Sequence, residues 1–484
     1  MTLRSLKLKS HYPFFLANKT EMGSEFFEVT DKFSQKPIAQ VAAASISDIE
    51  RAIHLGLNAS PKMAQLSLFS RKKILRHCAE RIFERKEEFA QVLTLEVGKT
   101  LRDARGEIDR MIETFSLAFE ETGKLYGEVS SLDRTPRGIG YQGFWKRVPV
   151  GLCSFISPFN FPLNLTAHKV APAIATGCPF ILKPASRTPI SSLLLGEILA
   201  ETELPEGAFS ILPCSRANAD LFTVHDSLKL ISFTGSPDVG WKIKARSGKK
   251  KVVLELGGNA ACIVDETAQL DDAVPRLIVG AFSQAGQSCI SVQRILIHES
   301  IYPSVKEKLI ALCRALRTGD PKEETTDIGP LISEEDAVRL ENWIKKAESQ
   351  GAQVLCGGKR KGAVLEPTLL ERVPPTEPLS CEEAFGPVAL LEPYRDFSEA
   401  LSKTNEGRFG LQAGLFTQNL NRAMQAWDIL EVGGVVINEV PSWRSDALPY
   451  GGIKDSGLGR EGVRFAMEEM TEIRSLVMRQ GVDH

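Results

Sequence analysis

The feature that most constrains this chain is the alternation of short apolar runs with helix-length segments after Val148. The runs VGLCSFIS, PFILKP, AFSILP, LKLISFTG and KVVLELGG are separated by segments such as NLTAHKVAPAIATG and ISSLLLGEILAETEL. This alternation predicts an α/β fold with a doubly wound parallel sheet. Because such sheets bind ligands at the carboxyl ends of their strands, we expect the chemistry in the loops that follow these runs.

Two further stretches surround this region. From Ser47 to about Tyr126, apolar residues recur at helical spacing, and the segment SISDIERAIHLGLNAS opens with a capping serine. From Ala260 to about Glu439, strand-like runs such as AACIVD, QRILIHES and VALLEPY alternate again with helical segments. The sequence therefore predicts helices followed by two α/β regions, without an internal repeat or a long flexible linker.

Composition narrows the class of function. The formal net charge of the 484 residues is −2, so no basic field attracts nucleic acid or acidic membranes. The seven histidines form no HExxH motif, and the nine cysteines form no CxxC pair. Both observations argue against a metal site, and the cysteines also argue against a disulfide framework. We therefore expect a cytoplasmic protein that binds no metal, nucleic acid or membrane.

The first 20 residues contain basic and no acidic side chains, which is also typical of a transit peptide. The basic stretch is short, and YPFFLANK within it has the pattern of the first strand of a domain, which is the interpretation we favour. No apolar run approaches the roughly 18 residues that span a bilayer.

A glycine-rich motif near the C-terminus fits a nucleotide-binding pattern. GLGREG, from Gly457 to Gly462, matches GxGxxG. That fingerprint needs a preceding strand and a βαβ unit with an acidic residue about 20 positions later. PYGGIKDS precedes GLGREG instead, and only 22 residues follow it. We therefore reject this motif as a Rossmann dinucleotide loop.

Two other stretches are candidates for cofactor binding. In LKLISFTGSPDVG an apolar strand runs into Gly235 and Ser236, and a helix opens before Gly240. A glycine turn lets backbone approach a diphosphate and a helix N-terminus favours its charge, although many strand–turn–helix joins use glycine. Lys183 ends the apolar run FILK, where its amine either contacts a cofactor ribose or phosphate or extends to solvent.

Three polar residues are candidates for catalysis. Glu255 lies on the apolar run KVVLELGG, where burial would raise its pKa toward that of a general base; the alternative is a salt-bridged glutamate. Asn160 follows VGLCSFIS and either donates its amide to an oxyanion or is a routine loop residue. Cys289, in SQAGQSCISVQR, is either a nucleophile or an inert buried thiol.

These stretches occur in one order, and that order, with similar spacings, resembles the signature of the aldehyde dehydrogenase superfamily. The resemblance extends from YPFFLANK to the C-terminus. Each motif alone is weak, but seven in register are highly specific. The motifs are SPFNFP, LKPAS, FTGSPDVG, LELGGN, GQSC, EEAFGP and PYGGIKDSGLGREG.

The resemblance implies an α/β fold of two doubly wound parallel-sheet domains plus a β-strand oligomerisation arm. The cofactor-binding domain would comprise residues 1–126 and 148–256, the catalytic domain residues 257–448, and the arm residues 127–147 and 466–484. Because an exposed, unpaired strand pair is an aggregation risk, we expect the arm to join copies into a homodimer or homotetramer.

The resemblance also implies catalytic roles. Cys289 matches the nucleophile that attacks the aldehyde to form a thiohemiacetal, and Asn160 with the backbone N–H of Cys289 matches the oxyanion hole. Hydride transfer then leaves a thioester, and Glu255 matches the general base that activates the hydrolytic water. Two alternatives remain: a CoA-acylating relative, against which Glu255 argues, and a catalytically silent structural or binding protein on the same fold.

Ten residues match cofactor-binding positions of the family. Lys183 and Glu383 match residues that hold the two riboses, and Phe385 matches the aromatic residue beside the nicotinamide ribose. Ser186 stands where a glutamate often repels a 2′-phosphate, and Arg187 adds a nearby positive charge, so we expect NADP to bind, with NAD as the alternative. The ten residues are Ser157, Phe159, Lys183, Ser186, Gly235, Ser236, Gly240, Leu256, Glu383 and Phe385.

The C-terminal half resembles the branch that contains lactaldehyde, phosphonoacetaldehyde and non-phosphorylating glyceraldehyde-3-phosphate dehydrogenases. Arg110 matches an arginine that binds the substrate anion in the latter two, or else is a surface helix residue. Those two also carry an arginine where this chain has Ser288, and Arg444 is a candidate to replace that charge. We therefore expect a small polar or anionic aldehyde as substrate.

Overall fold

The computed structural model describes residues 8–479, which form helices and six β-sheets. Short 3₁₀ turns cover Pro136–Gly138, Asn218–Asp220 and Ser283–Gly286. The α-helices of the described range are α1 (Ile46–Gln65), α2 (Leu68–Glu84), α3 (Lys86–Val97), α4 (Leu101–Glu121), α5 (Asn164–Thr176), α6 (Ile190–Ala200), α7 (Leu221–Val224), α8 (Pro237–Arg246), α9 (Leu270–Phe282), α10 (Tyr302–Ala315), α11 (Glu334–Ser349), α12 (Pro378–Cys381), α13 (Phe397–Asn405), α14 (Leu420–Ile429) and α15 (Val463–Glu469).

The strands alternate with these helices along most of the chain. Those of the described range are β1 (His11–Tyr12), β2 (Phe14–Leu16), β3 (Lys19–Glu21), β4 (Glu25–Thr30), β5 (Pro37–Ala43), β6 (Glu128–Ser131), β7 (Tyr141–Pro149), β8 (Cys153–Ile156), β9 (Phe180–Lys183), β10 (Phe209–Ile211), β11 (Leu230–Thr234), β12 (Lys251–Glu255), β13 (Ala260–Val264), β14 (Val292–His298), β15 (Gln353–Cys356), β16 (Arg360–Lys361), β17 (Val364–Leu365), β18 (Thr368–Glu371), β19 (Val388–Tyr394), β20 (Phe409–Gly410), β21 (Gln412–Phe416), β22 (Gly434–Ile437), β23 (Ile453–Lys454), β24 (Gly457–Leu458) and β25 (Thr471–Arg479).

The predicted helical region is formed by α1 to α4. At the start of α1, Ser45 caps the helix and forms a capping box with Asp48, as the sequence indicated. Ser67 and Thr100 cap α2 and α4 in the same way, by accepting a backbone N–H of the first turn. Such caps each stabilise a helix by about 1 kcal/mol.

The first large sheet has the strand order β24-β12-β11-β8-β9-β10-β2-β3. Its five central strands are parallel, as predicted, whereas β2, β3 and β24 are antiparallel edge strands. Ile156 pairs with Lys183 and with Phe233, and Thr234 pairs with Glu255. The carboxyl ends of β8, β9, β11 and β12 are therefore level, which brings the loops after these strands to one edge.

The second large sheet has the order β15-β18-β19-β14-β13-β21-β22, parallel except for β15. Helices α9, α10 and α11 pack on one face of it, in a core that includes Phe282, Leu309 and Leu340. The first large sheet has a separate core with α2 to α6. The α/β fold with two doubly wound sheets is confirmed, and the antiparallel strands are confined to sheet edges, as is common in large sheets.

A separate sheet joins two distant parts of the chain. Strand β25 pairs with β7 along its whole length, from Thr471–Pro149 to Arg479–Tyr141, and β6 pairs with the other edge of β7. Apolar side chains on this sheet, such as Val129 and Val477, are exposed. The predicted arm extends to residue 484, of which residues 480–484 lie outside the described part of the chain, as do residues 1–7 at the N-terminus.

Seven of the nine cysteines are buried; Cys289 is partly buried and Cys381 is exposed, and all nine are free thiols. Within residues 8–479, no helix has both the length and the apolar character needed to cross a membrane.

Candidate active site

A cleft of about 690 Å³ opens at the carboxyl ends of the parallel strands of the first sheet and reaches the second sheet. This is the position that the strand alternation predicted for ligand binding. Five of the sequence-predicted residues do not line it: Gly240, Ser186, Ser288, Arg110 and Arg444. The predicted residues that line it are Ser157, Phe159, Asn160, Lys183, Gly235, Ser236, Glu255, Leu256, Cys289, Glu383 and Phe385.

The middle of the cleft has polar groups that are available to a ligand. The buried Ser157 Oγ makes no hydrogen bond within residues 8–479, and the Lys183 Nζ contacts only the Pro184 carbonyl, at 3.4 Å. Burial lowers the pKa of Lys183. Glu383 accepts a 2.9 Å hydrogen bond from the Gly258 N–H, and burial raises the pKa of Glu383 to about 7. These unused polar groups fit the hydroxyls and phosphates of a dinucleotide cofactor.

Close packing explains the glycine within helix α8, which forms part of this wall. Helix α8 begins with Ser236 as N-cap and Pro237 in its first turn. Because Gly235 and Ser236 line the cleft, the N-terminus of α8 lies at its wall and favours an anion there. A Cβ on Gly240 would lie 2.3 Å from a methyl carbon of Leu256, which lines the cleft. Gly240 therefore brings α8 close to β12 rather than contacting the cleft itself.

The basic groups near the cleft mouth differ from those that the sequence indicated. Ser186 donates a 3.4 Å hydrogen bond to the Cys214 carbonyl, outside the cleft lining, and Arg187 forms an ion pair with Asp336 at 3.3 Å. Arg216, which the sequence reasoning missed, lines the cleft, is exposed, and has no carboxylate within 4 Å in residues 8–479. The one feature of the sequence that could have indicated Arg216 is its position, as a basic residue in the loop after the predicted strand AFSILP.

Cys289 follows a strained turn. Gln284 and Ala285 have φ values of +53° and Gly286 one of +66°; a Cβ on Gly286 would lie 2.1 Å from the Gly386 carbonyl oxygen. A positive φ is energetically unfavourable for a residue with a side chain, so the backbone conformation of this turn depends on its packing against the second sheet. Burial raises the pKa of the Cys289 thiol to about 12.

Asn160 lies beside the loop that carries Cys289. Its side-chain amide nitrogen donates a 3.1 Å hydrogen bond to the Gln287 carbonyl, and the backbone carbonyl of Asn160 accepts one from the Gln284 side chain. Gln284 also accepts a 2.6 Å hydrogen bond from Lys99, which forms a fully buried 2.6 Å ion pair with Glu107. The sequence reasoning missed this network, because Lys99 and Glu107 lie in a helical region with ordinary surface composition.

Glu255 is buried, and neither carboxylate oxygen accepts a hydrogen bond in residues 8–479. Burial, reinforced by the charge of Glu461, raises its pKa well above 4.5. The salt-bridged alternative is not what the structure shows, since Glu461 instead takes the nearby cation, in a buried 2.9 Å ion pair with Lys169. Gly451 lies next to Glu255, and a Cβ at position 451 would be 2.9 Å from the Glu255 Oε1. The absence of a side chain at Gly451 therefore leaves space beside the carboxylate.

Two arginines converge on one carboxylate behind Cys289. Arg110 Nη2 donates a 2.7 Å hydrogen bond to Asp446, and Arg444 Nε lies 3.2 Å from the same oxygen. The Arg444 guanidinium also lies 3.7 Å from the ring centroid of Tyr450, whose hydroxyl is 3.3 Å from Cys289 Sγ. Both predicted arginines thus belong to one cluster, which Asp446 and Tyr450 complete; no role was assigned to either of these two residues from the sequence.

Arg444 is nearly buried, and its Nη1 makes no hydrogen bond in residues 8–479. Its Nη2 contacts His168 and Glu461, at 3.3 and 3.4 Å. Ser288 is half-buried, and its Oγ lies 3.5 Å from the Ile290 N–H, so it adds no charge to the cluster. Within the described range, no group of three or more His, Cys, Asp or Glu residues could hold a metal ion.

The model of the aldehyde dehydrogenase family matches residues 19–476. The 3-sulfolactaldehyde dehydrogenase of Priestia aryabhattai is 40% identical over 480 residues, which cover 98% of this chain and 100% of the relative. Aldehyde dehydrogenase 21 from Physcomitrella patens, solved in complex with the reaction product succinate, is 51% identical with a TM-score of 0.96, and covers 98% of this chain and 99% of that one.

A third relative is glyceraldehyde-3-phosphate dehydrogenase GapN from Methanocaldococcus jannaschii, solved in complex with NADP. It is 38% identical with a TM-score of 0.90, and the match covers 96% of this chain and 100% of that one. The sequence resemblance is thereby confirmed. Because these matches extend over nearly the whole chain, the protein belongs to the aldehyde dehydrogenase family and is an oxidoreductase that oxidises aldehydes with NAD or NADP.

Proposed function

We propose that this enzyme oxidises a short aldehyde with an anionic group at its other end, and that it favours NADP. The observation that carries the proposal is the pair of arginines that share Asp446 behind Cys289. Arg444 adjoins Tyr450, and Tyr450 contacts Cys289, so an anion held by the arginines lies a short chain length from the thiol. Such a substrate would meet the arginines with its charge and Cys289 with its carbonyl.

In the first step, the Cys289 thiolate attacks the carbonyl carbon and forms a thiohemiacetal. The amide of Asn160 has two N–H donors, of which the Gln287 carbonyl takes one. The other remains to stabilise the oxyanion, together with the backbone N–H of Cys289. The Lys99–Gln284 contact holds the backbone of Asn160, so this donor is positioned before substrate arrives.

Bound at the strand ends, NADP would accept the hydride that converts the thiohemiacetal into a thioester. Lys183, Ser157 and Glu383 would hold its polar groups, with Phe159 and Phe385, whose rings meet edge-on at 5.7 Å, beside the nicotinamide. The exposed Arg216 would attract a 2′-phosphate, and the side chain of Ser186 carries no charge. The two carboxylates of this wall, Asp220 and Asp336, are engaged in ion pairs with other arginines. The NADP bound to the Methanocaldococcus relative supports this preference.

In the last step, Glu255 removes a proton from the water that attacks the thioester. A buried carboxylate without hydrogen bonds and with a raised pKa is a stronger base than an exposed one, once ionised. The water adds to the acyl carbon, Cys289 leaves as the thiol or thiolate, and the acid product departs. A CoA-acylating enzyme would not need this base.

The relatives support an anionic substrate. One acts on 3-sulfolactaldehyde, which carries a sulfonate, and another binds the dicarboxylate succinate as its reaction product. The free Nη1 of Arg444 and the solvent-accessible Arg110 offer donors in the fork geometry that suits a carboxylate or sulfonate. We favour a carboxylate, because the succinate-bound relative has the higher identity of the two.

The test is an aldehyde panel with both cofactors, followed as reduced nicotinamide at 340 nm. Succinic semialdehyde, 3-sulfolactaldehyde, glyceraldehyde 3-phosphate and lactaldehyde are compared with the neutral butanal. We expect the highest kcat/KM with succinic semialdehyde and NADP, in the absence of CoA. A kcat/KM for butanal equal to that for the anions would contradict the anion site, and dependence on CoA would contradict hydrolysis.

We also propose a division of the chain into three parts. Residues 1–126 and 148–256 form a cofactor-binding domain, residues 257–448 form a catalytic domain, and residues 127–147 and 466–484 form an oligomerisation arm. The exposed apolar side chains of the β25-β7-β6 sheet support burial against a second copy, as a homodimer or homotetramer. Light scattering at several protein concentrations tests the assembly.

The nine free thiols support a reducing compartment such as the cytoplasm as the location of this enzyme.

A further inference from the structure

The hydroxyl of Tyr450 is the one side-chain group that contacts Cys289 Sγ by a hydrogen bond within residues 8–479, at 3.3 Å. Tyr450 is buried with 6% of its surface exposed, and it packs with Ile290 and Leu411 around the thiol. Neither the family resemblance nor the strand pattern assigns it a role. A polar group that is buried against a reacting atom calls for a functional explanation.

The backbone and the ring of Tyr450 are both held in place. Its N–H and carbonyl form a two-way bridge with Glu461, with hydrogen bonds of 2.9 and 2.6 Å. The Arg444 guanidinium covers one face of the ring at 3.7 Å. Because these contacts restrict both the chain and the ring, the hydroxyl keeps its position at Sγ without help from a substrate.

We propose that Tyr450 is a catalytic residue whose hydroxyl donates a hydrogen bond to the Cys289 thiolate, stabilising it and orienting it for attack. This proposal rests on Cys289 being the nucleophile. No proton is transferred: the thiol loses its proton to solvent, and the tyrosine keeps its own. Burial and the nearby thiolate charge raise the pKa of Tyr450 well above 10, so the hydroxyl remains a donor at neutral pH.

A thiolate that is buried near two carboxylates needs such a donor. Burial raises the pKa of Cys289, and the charges of Glu383 and Glu255 raise it further, whereas the hydrogen bond from Tyr450 and the charge of Arg444 lower it. A hydrogen bond is stronger to the charged acceptor than to the neutral one, so it favours the thiolate. The same ring links the nucleophile to Arg444 and therefore to the proposed anion site.

The test compares the Tyr450→Phe variant with the parent by iodoacetamide alkylation of Cys289, without substrate or cofactor. Both proteins carry Cys381→Ser, since Cys381 is the exposed thiol. We expect the alkylation rate of the variant to be about tenfold lower at every pH from 7 to 9, in line with one charge-assisted hydrogen bond. The kcat/KM should fall by a similar factor for anionic and neutral aldehydes alike.

Tyr394→Phe is the matched control, because Tyr394 is also buried and donates a 3.3 Å hydrogen bond to the Val264 carbonyl in the second sheet. It should leave alkylation unchanged. Thermal melting checks the fold of both variants, and Phe preserves the ring packed on Arg444. An unchanged alkylation rate in Tyr450→Phe would overturn the proposal. A rise in KM for anionic aldehydes only would also overturn it, because Tyr450 would then act by positioning Arg444 and not by stabilising the thiolate.

The failure of this proposal is distinguishable from the failure of the proposed function. A Cys289→Ala variant that keeps its dehydrogenase activity would remove Cys289 as nucleophile, whatever Tyr450 does. If Cys289→Ala is inactive and Tyr450→Phe alkylates like the parent, the proposed function stands and the role of Tyr450 is wrong.

Discussion

Replacing Glu255 by glutamine separates the two halves of the proposed reaction. The substitution keeps the shape of a side chain whose carboxylate makes no hydrogen bond, so the surroundings lose no partner. It removes the base for the hydrolytic water but leaves Cys289 and Asn160 in place. A positioned general base accelerates a reaction by about 10²- to 10⁴-fold, so we expect kcat to fall within that range.

The assay is rapid mixing with saturating NADP and succinic semialdehyde, followed at 340 nm. We expect a burst of one reduced cofactor per active site, then a steady state slowed by the factor above, because the thioester accumulates. Hydroxylamine, a nucleophile that needs no base, should restore turnover. Loss of the burst itself would refute the reasoning, because Glu255 would then act before the thioester forms.

The Glu255→Gln substitution should also change how the free energy of unfolding depends on pH. Burial raises the pKa of Glu255 above 4.5, so in the pH range above 4.5 the unfolded chain releases this proton before the folded one does. Folding stability therefore falls with rising pH, by up to about 1.4 kcal/mol per pH unit, until the native pKa is passed. A glutamine at position 255 does not ionise, so the variant does not lose stability in this way as the pH rises. The free energy of unfolding of Glu255→Gln, relative to the parent, should increase from pH 5 to pH 8 in urea titrations; a constant difference would contradict the raised pKa.

Three further predictions concern the cleft and the thiol. Arg216→Gln should raise KM for NADP about tenfold and leave KM for NAD within about twofold, whereas Arg276→Gln, which changes a partly exposed arginine on α9 outside the cleft lining, should change neither; equal effects of the two substitutions would contradict the role of Arg216. Arg110→Gln should raise KM for succinic semialdehyde at least about tenfold with little effect on butanal, while Arg102→Gln on the same helix should change neither substrate's KM. Alkylation of Cys289 in the free enzyme should accelerate about tenfold per pH unit from 7 to 9, because its pKa is about 12, and a plateau below pH 9 would show a thiolate that the described contacts do not explain.

Much of the cleft was predictable, because its residues lie directly after apolar strands. Lys183 and Glu255 are the last residues of β9 and β12, and Asn160 follows β8 by four positions. A strand end is a local feature of the sequence, and parallel strands bring their carboxyl ends to one edge, so topology alone gathers these side chains. The same argument could have singled out Arg216, which also follows a strand of this sheet.

The family resemblance extended these predictions to the loop that carries Cys289, but it did not reveal how that loop is held. The turn at Gln284 and Ala285 has positive φ values at residues that carry side chains, which no propensity rule predicts. The buried Lys99–Glu107 pair lies on a surface-like helical pattern, because its burial depends on distant groups, namely Gln284 and the start of α5 at Leu163 and Asn164.

The sequence by itself determined the alternating α/β architecture, the helix caps and the positions of polar residues at strand ends, because these depend on neighbours within a few residues. Only the tertiary structure decided which distant groups meet: Arg110 with Asp446 across 336 positions, Lys169 with Glu461 across 292, and Cys289 with Tyr450 across 161. A lone charge or hydroxyl carries no local signal of its partner. The contacts that set the charge of the proposed nucleophile and the proposed substrate preference therefore form only when the sheets and loops pack together.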